Sequence, residues 1–210
     1  YLFLKMAQDH KFKYKFYLAL AALGISILDI RFIYLLVLIL FFNSIFQLVF
    51  GLSSNRLKFM KELLPCGVLV VVVLIGFHAY WILPSVLIKL PQLPQTYERA
   101  AQVDFLSFSS VGHSLLLQQP HWYKNIFGQV SNLKAEFIFV PILVLLAHIL
   151  LRRDKVVGFW LIIAALGIFL SKGSQPPYGQ IYSWLFSHIP LFSLFRDPTK
   201  FYLFISLSYS

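Results

Sequence analysis

Long apolar runs separated by short polar and basic segments dominate the pattern of the chain. Six runs stand out, and they cover residues 14–28, 32–52, 63–83, 136–151, 156–171 and 201–210. A helix rises about 1.5 Å per residue and a bilayer's hydrocarbon core is about 30 Å thick, so roughly 20 apolar residues make one crossing. The pattern predicts an all-α, polytopic transmembrane helical bundle, treated as one domain over residues 1–210, with the first and last runs the shortest.

Two longer segments are too polar to cross a membrane. In the first, 84–135, we predict that 105–118 forms an interfacial helix whose Ser and His side chains face water. In the second, 172–200, the aromatic stretch 181–195 contains Pro190 and is closely followed by charges, which favours a re-entrant or interfacial helix over a span. Both segments should therefore fold against the membrane surface.

Composition and charge indicate a membrane protein rather than a nucleic-acid-binding one. Of the 210 residues, 59% are hydrophobic and only 12% are charged. The formal net charge of +10 would indicate nucleic acid as the partner of a soluble protein, but here the basic residues cluster between apolar runs. We expect membrane lipids as partners and no nucleic acid.

The basic clusters orient the predicted spans. They occupy Lys5–Lys15, Arg56–Lys61 and Arg152–Lys155, and all three fall on one side of the predicted topology. By the positive-inside rule that side is cytoplasmic, which places 84–135 and 172–200 on the extracytoplasmic side.

Cysteine, histidine and the chain ends add little chemistry. Cys66 is the single cysteine, so no intrachain disulfide is predicted, and the six histidines include no HExxH pattern, so no metal site is predicted. His78 and His148, in or near spans, read as packing residues. Because the chain begins at Tyr1 rather than Met and its last run is short, we expect an internal piece of a longer protein.

Asp29 and Arg31 interrupt an apolar stretch of more than thirty residues. Charges at bilayer depth cost several kcal/mol unless they are paired or hydrated. Two interpretations stay open: a tight turn at the outer surface, or a catalytic or proton-carrying carboxylate at Asp29. The natural pairing with Arg31 favours the turn.

A second charged interruption lies in IPLFSLFRDPTKFYLF, residues 189–204. Arg196 and Lys200 would lie at the depth of lipid phosphates, Asp197 would be the N-cap of the last helix, and Pro198 suits its first turn. In the alternative interpretation the two cations only snorkel to headgroups.

This stretch carries a resemblance to a known family. A glycine and prolines, an IY helix, IPLFSLFRDPTKF and then an apolar span, together with AYWILPSVL at 79–87, are similar to the late membrane region of large GT-C-type glycosyltransferases. The nearest likenesses are the arabinofuranosyltransferase family of mycobacterial type and the YfhO-like membrane proteins. The resemblance covers about residues 60–210.

The resemblance implies a multi-pass enzyme of the cytoplasmic membrane of a prokaryote. It would transfer a sugar from a polyprenyl-phosphate donor to an extracytoplasmic glycan or lipid acceptor, with Arg196 and Lys200, which match the recurring motif, binding the lipid phosphate. In such enzymes an acidic residue of the first external loop is the base and can help to hold a divalent cation. We expect that residue upstream of Tyr1, because ILDIRF around Asp29 matches no catalytic motif.

Further candidates are aromatic and histidine side chains of the two outer segments. Sugar faces stack on aromatic rings, although an interfacial belt explains the same residues. The candidate sugar or loop contacts are His113, His121, Trp122, Tyr123, Tyr178 and Trp184.

Two other functions stay open. A lipid or solute transporter or flippase would place ionisable residues or broken helices at mid-membrane, and spans 63–83, 136–151 and 156–171 contain almost none. A non-catalytic scaffold that binds a lipid-linked glycan is the other alternative.

Overall fold

The structure is a computed structural model that describes residues 11–50, 56–87, 99–118, 133–151, 154–189 and 191–210. All the regular structure in these ranges is helical. The chain divides into two compact units, Tyr1–Pro94 and Gln95–Ser210, which are described separately below.

The first unit contains three long helices: α1 Phe12–Leu28, α2 Ile30–Phe50 and α3 Arg56–Leu87. Phe12 of α1 and Leu64 of α3 line the same apolar surface, and Ser26 of α1 hydrogen-bonds His78 of α3. These two helices therefore run in the same direction. Between them in the chain, α2 runs the opposite way, because Leu48 near its end lies against the start of α3.

Two helices of this unit are long and apolar enough to cross a membrane, by length and composition. They are Ile30–Phe50 and the part of α3 from Leu63 to Pro84. Both coincide with predicted runs, 32–52 and 63–83. Few residues of either helix are buried, so the described part of the chain leaves much of their apolar surface uncovered.

The second unit is built from shorter helices. Its α-helices are α4 Arg99–Leu106, α5 Val111–Leu115, α6 Phe139–Leu150, α7 Lys155–Ser171, α8 Gly179–His188 and α9 Tyr202–Tyr209, and its 3₁₀ helices are Ala135–Ile138, Phe192–Phe195 and Pro198–Phe201. Asp154 is the N-cap of α7, where its carboxylate accepts a hydrogen bond of 2.8 Å from the backbone N–H of Val156. Helix α8 is 10 residues long, about 15 Å, too short to cross a bilayer.

An aromatic cluster forms the core of this unit. Its members are buried, and neighbouring ring centroids lie 4.9–6.3 Å apart. They are Tyr182 of α8, Phe192 and Phe195 of the first 3₁₀ turn after it, Phe201 of the next, and Phe204 of α9. Contacts of this kind add to the burial energy and fix the path of the chain between α8 and α9.

The predicted single helix over 105–118 is wrong. Helix α4 ends at Leu106, residues 107–110 are not helical, and α5 begins at Val111 with Ser110 as its N-cap. Ser107 binds the carbonyl of Val103 through its hydroxyl, at 2.7 Å, so these serines compete with the helical backbone bonds and break the helix. The expectation that the serines face water is wrong for Ser107, Ser109 and Ser114, which are buried, whereas Ser110 is exposed.

Candidate functional site

The charged turn between Phe195 and Phe201 is organised by Asp197. One carboxylate oxygen accepts hydrogen bonds from the backbone N–H and the hydroxyl of Thr199, at 3.1 and 2.6 Å, so Asp197 occupies the N-cap of the 3₁₀ helix Pro198–Phe201. Its other oxygen lies 3.5 Å from Nζ of Lys200. The carboxylate and the ammonium of this turn are thus paired with each other, and both are half-buried.

Arg196 differs from its neighbours in this turn. Its side chain is exposed, and within the described part of the chain it makes no ion pair and no side-chain hydrogen bond. Asp197, which follows it directly, is already engaged by Thr199 and Lys200. The five N–H donors of the guanidinium are therefore available to an external anion.

Tyr182 holds the backbone on which Arg196 sits. Its hydroxyl donates a hydrogen bond of 2.6 Å to the carbonyl oxygen of Phe195, directly before Arg196. Burial, together with the negative charge of Asp197, raises the pKa of the Tyr182 phenol well above its ordinary value. The phenol consequently stays neutral and keeps its proton for the Phe195 carbonyl.

Lys172, at the end of α7, is a buried cation that the sequence did not single out. The residue is 1% exposed; its Nζ donates a hydrogen bond of 2.7 Å to the carbonyl oxygen of Gln175 and lies 4.7 Å from the centre of the Phe169 ring. Burial lowers the pKa of this ammonium below its ordinary value. Because Lys172 directly follows an apolar run, it looks in sequence like an ordinary snorkelling anchor.

The turn after Lys172 contacts both the break before α5 and the charged turn. A Cβ built on Gly173, whose φ is +61°, would lie 2.2 Å from Oγ of Ser107 and 2.5 Å from Cγ of Pro198. The backbone N–H of Ser174 donates to the same Ser107 hydroxyl at 3.0 Å, and the amide of Gln175 donates to the Ser107 carbonyl at 2.7 Å. Glycine is needed at 173 both for its left-handed backbone and for this close approach.

A buried polar network lies beside this turn. The hydroxyls of Ser171 and Ser114 are 2.7 Å apart, and those of Ser109 and Tyr202 are 3.0 Å apart. The side-chain amide of Gln118 pairs with the backbone of Lys134 at both ends: its NH₂ donates to the Lys134 carbonyl at 2.9 Å, and its oxygen accepts from the Lys134 N–H at 3.0 Å. These bonds tie 107–118, α7 and α9 together.

The predicted aromatic contacts are only partly described. Tyr178 and Trp184 are exposed, at 71% and 54%, and the Trp184 ring stacks on His188 with their centroids 4.9 Å apart. Both aromatic residues are thus available for lipid or sugar. The predicted candidates His121, Trp122 and Tyr123 lie outside the described residues.

His113 and Asp29 have local structural partners. Nδ1 of His113 lies 2.7 Å from Oγ of Ser110, as part of the capping box that begins α5. Asp29 is the one-residue break between α1 and α2, and Arg31 donates to both of its carboxylate oxygens, through Nε at 2.9 Å and a terminal NH₂ at 2.6 Å. This geometry fits the surface-turn interpretation of Asp29.

Metal-binding chemistry has no visible centre in the described ranges, where no three His, Cys, Asp or Glu side chains come together. The chain matches no protein-family model, no curated protein and no solved structure. The candidate site is therefore defined by its own geometry: an exposed guanidinium at Arg196, the paired turn that follows it, and the buried Lys172, whose neighbour Gly173 contacts Pro198 of that turn.

Proposed function

We propose that this protein is a multi-pass glycosyltransferase of the cytoplasmic membrane of a prokaryote. It transfers a sugar from a polyprenyl-phosphate donor to an extracytoplasmic glycan or lipid acceptor. Arg196 and Lys200 bind the donor phosphate at the outer membrane face.

The exposed apolar helices of the first unit support a membrane location for the whole chain. Along α3, valine and isoleucine side chains such as Val68, Val72 and Ile75 are exposed, and lipid is the natural medium for them. Lys15 of α1 lies by the start of α3, at the same end as Lys61. A shared basic end of two parallel helices is what the positive-inside rule expects of two spans.

The observation that carries the proposal is the state of Arg196. A guanidinium that is exposed and unpaired within the described residues, beside a carboxylate committed to other partners, is prepared to bind an external anion. A phosphate can accept two parallel N–H bonds from its planar fork. The neighbouring Lys200 adds a compact positive charge that Asp197 only partly offsets.

The same arrangement suits the chemistry of transfer from a polyprenyl phosphate. When the bond between the anomeric carbon and the phosphate oxygen breaks, negative charge grows on the departing phosphate. Donors placed in advance at that oxygen stabilise the transition state more than the ground state. Because Tyr182 fixes the Phe195 carbonyl, the backbone that carries the guanidinium is held in place.

The test is transfer of labelled sugar from a panel of polyprenyl-phosphate donors by the full-length protein in nanodiscs. We expect Arg196→Ala to lose at least tenfold in transfer, Arg196→Lys to lose less, and Lys134→Ala, which removes an exposed charge elsewhere in the same unit, to retain full activity. Full transfer by a folded Arg196→Ala variant would remove Arg196 from the phosphate site. No transfer from any donor by the folded wild type would overturn the enzyme assignment.

A further inference from the structure

Lys172 is a buried ammonium whose charge is not balanced by a carboxylate in the described part of the chain. An ammonium has three N–H donors, and here the carbonyl oxygen of Gln175 accepts one hydrogen bond while the Phe169 ring lies close by. Asp197, the acidic side chain of the turn that Gly173 contacts, is bound by Thr199 and Lys200.

Such an arrangement is costly for a purely structural residue. Burying a charge without a counter-ion loses hydration that one hydrogen bond and one ring do not replace. A methionine of similar length would fill the same space without that loss. Burial lowers the Lys172 pKa in agreement with this cost. Groups that lower stability in this way are typical of binding and catalytic sites.

The position of Lys172 connects it with the charged turn. Gly173, the next residue, packs directly against Pro198, which lies between Arg196 and Lys200 in the chain. Outward from this contact, Pro176, Pro177 and Tyr178 are exposed, so the turn that covers the ammonium lies at the surface. The turn that begins at Lys172 thus contacts the turn that carries Arg196, Asp197 and Lys200.

We propose that Lys172 is the inner cation of an anion site that takes the phosphate group of a phosphate ester, with Arg196 and Lys200 at its outer edge. The bound phosphate supplies the counter-charge that the described residues do not. This inference rests on the proposed function for the source of the phosphate, a polyprenyl-phosphate lipid.

Thermal unfolding of the full-length protein in nanodiscs of neutral lipid tests this assignment. Wild type, Lys172→Met, Lys172→Gln and the exposed control Lys134→Met are compared without ligand, with decaprenyl phosphate, with decaprenol and with inorganic phosphate. A ligand that binds only the folded state raises the melting temperature in proportion to its occupancy. Sugar transfer is measured on the same preparations.

We expect decaprenyl phosphate, but not decaprenol, to raise the melting temperature of wild type and of Lys134→Met. Without ligand the two Lys172 variants should melt no lower than wild type, because they lose an unbalanced charge, and they should show no rise with decaprenyl phosphate. If inorganic phosphate alone causes the Lys172-dependent rise, the anion site is supported and its ligand is free phosphate.

The opposite pattern would overturn the assignment. Lys172 serves the fold alone if its variants melt lower than wild type or do not fold. The same conclusion follows if decaprenyl phosphate raises the melting temperature of a folded Lys172 variant as much as that of wild type. The two proposals can fail separately. A Lys172-dependent rise in melting temperature without sugar transfer would support the anion site and contradict the enzyme assignment. Sugar transfer that survives in Lys172→Met would support the enzyme assignment and contradict this anion site.

Discussion

Gly167 allows α7 and α9 to approach closely, and its replacement gives a sharp test of the second unit. A Cβ built on Gly167 would lie 2.8 Å from Cβ of Phe204, 2.9 Å from Cγ1 of Ile205 and 3.1 Å from the Ile205 backbone nitrogen. Both partners are fully buried. Two of the three atoms are backbone or attached directly to it, so relief requires movement of α9 rather than of a side-chain end.

The same helix offers a matched control in Gly158, where a Cβ would meet nothing within 4 Å. Replacing glycine by alanine in a helix interior gains about 1 kcal/mol of helix propensity at either position. At Gly167 the added methyl also overpacks a filled interface, which costs about 1–3 kcal/mol. The propensity term cancels in the comparison, so Gly167→Ala should be less stable than Gly158→Ala by about 1–3 kcal/mol.

Equilibrium unfolding of both variants in one detergent, followed by circular dichroism, measures this difference. We expect Gly158→Ala to match or exceed wild type and Gly167→Ala to fall below Gly158→Ala. Equal stabilities of the two variants would refute the close contact between α7 and α9.

Three other predictions concern the turn and the network around it. Asp197→Ala should cost about 0.5–2 kcal/mol of unfolding free energy through loss of the N-cap, with Asp197→Asn largely retaining it. The raised pKa of Tyr182 means that the folded state favours the neutral phenol. The phenol's contribution to the unfolding free energy is therefore full below about pH 10, and it is lost as the pH rises through the higher pKa of the folded state. Tyr182→Phe should flatten this alkaline decline in the unfolding free energy. Gln118→Leu should cost about 1–2 kcal/mol and speed hydrogen exchange at the Lys134 amide, which loses its partner.

Apolar run length located the long helices but not all of their ends. The run 32–52 corresponds closely to α2, which spans Ile30–Phe50, whereas α3 extends from Arg56 to Leu87, well beyond the run 63–83. Hydropathy identifies the apolar part of a helix. The helix itself can extend into flanking polar residues, because its backbone hydrogen bonds do not depend on side-chain polarity. Pro65 and Pro84 lie inside α3, although a proline in a helix interior removes one backbone hydrogen bond.

The buried polar residues of the second unit could not be identified from periodicity. The serines of 105–118 have a spacing that also suits the water-facing side of an amphipathic helix. Tertiary contacts bury three of them: Ser107 bonds Ser174 and Gln175, Ser109 bonds Tyr202, and Ser114 bonds Ser171. The burial of Lys172 could not be predicted either, because a lysine after an apolar helix normally reaches solvent. Burial depends on what other segments cover, and that information is non-local.

The fold explains why charges interrupt the apolar stretch IPLFSLFRDPTKFYLF, because the chain turns sharply there between α8 and α9. Its two 3₁₀ turns direct Phe192, Phe195, Phe201 and Phe204 into one buried cluster around Tyr182, so these apolar residues form protein core. The charges occupy the outside of the same corner, where the Asp197 cap allows the chain to turn. The aromatic cluster thus fixes the backbone that carries Arg196, so the phosphate binding that we propose there would require little further ordering of the backbone.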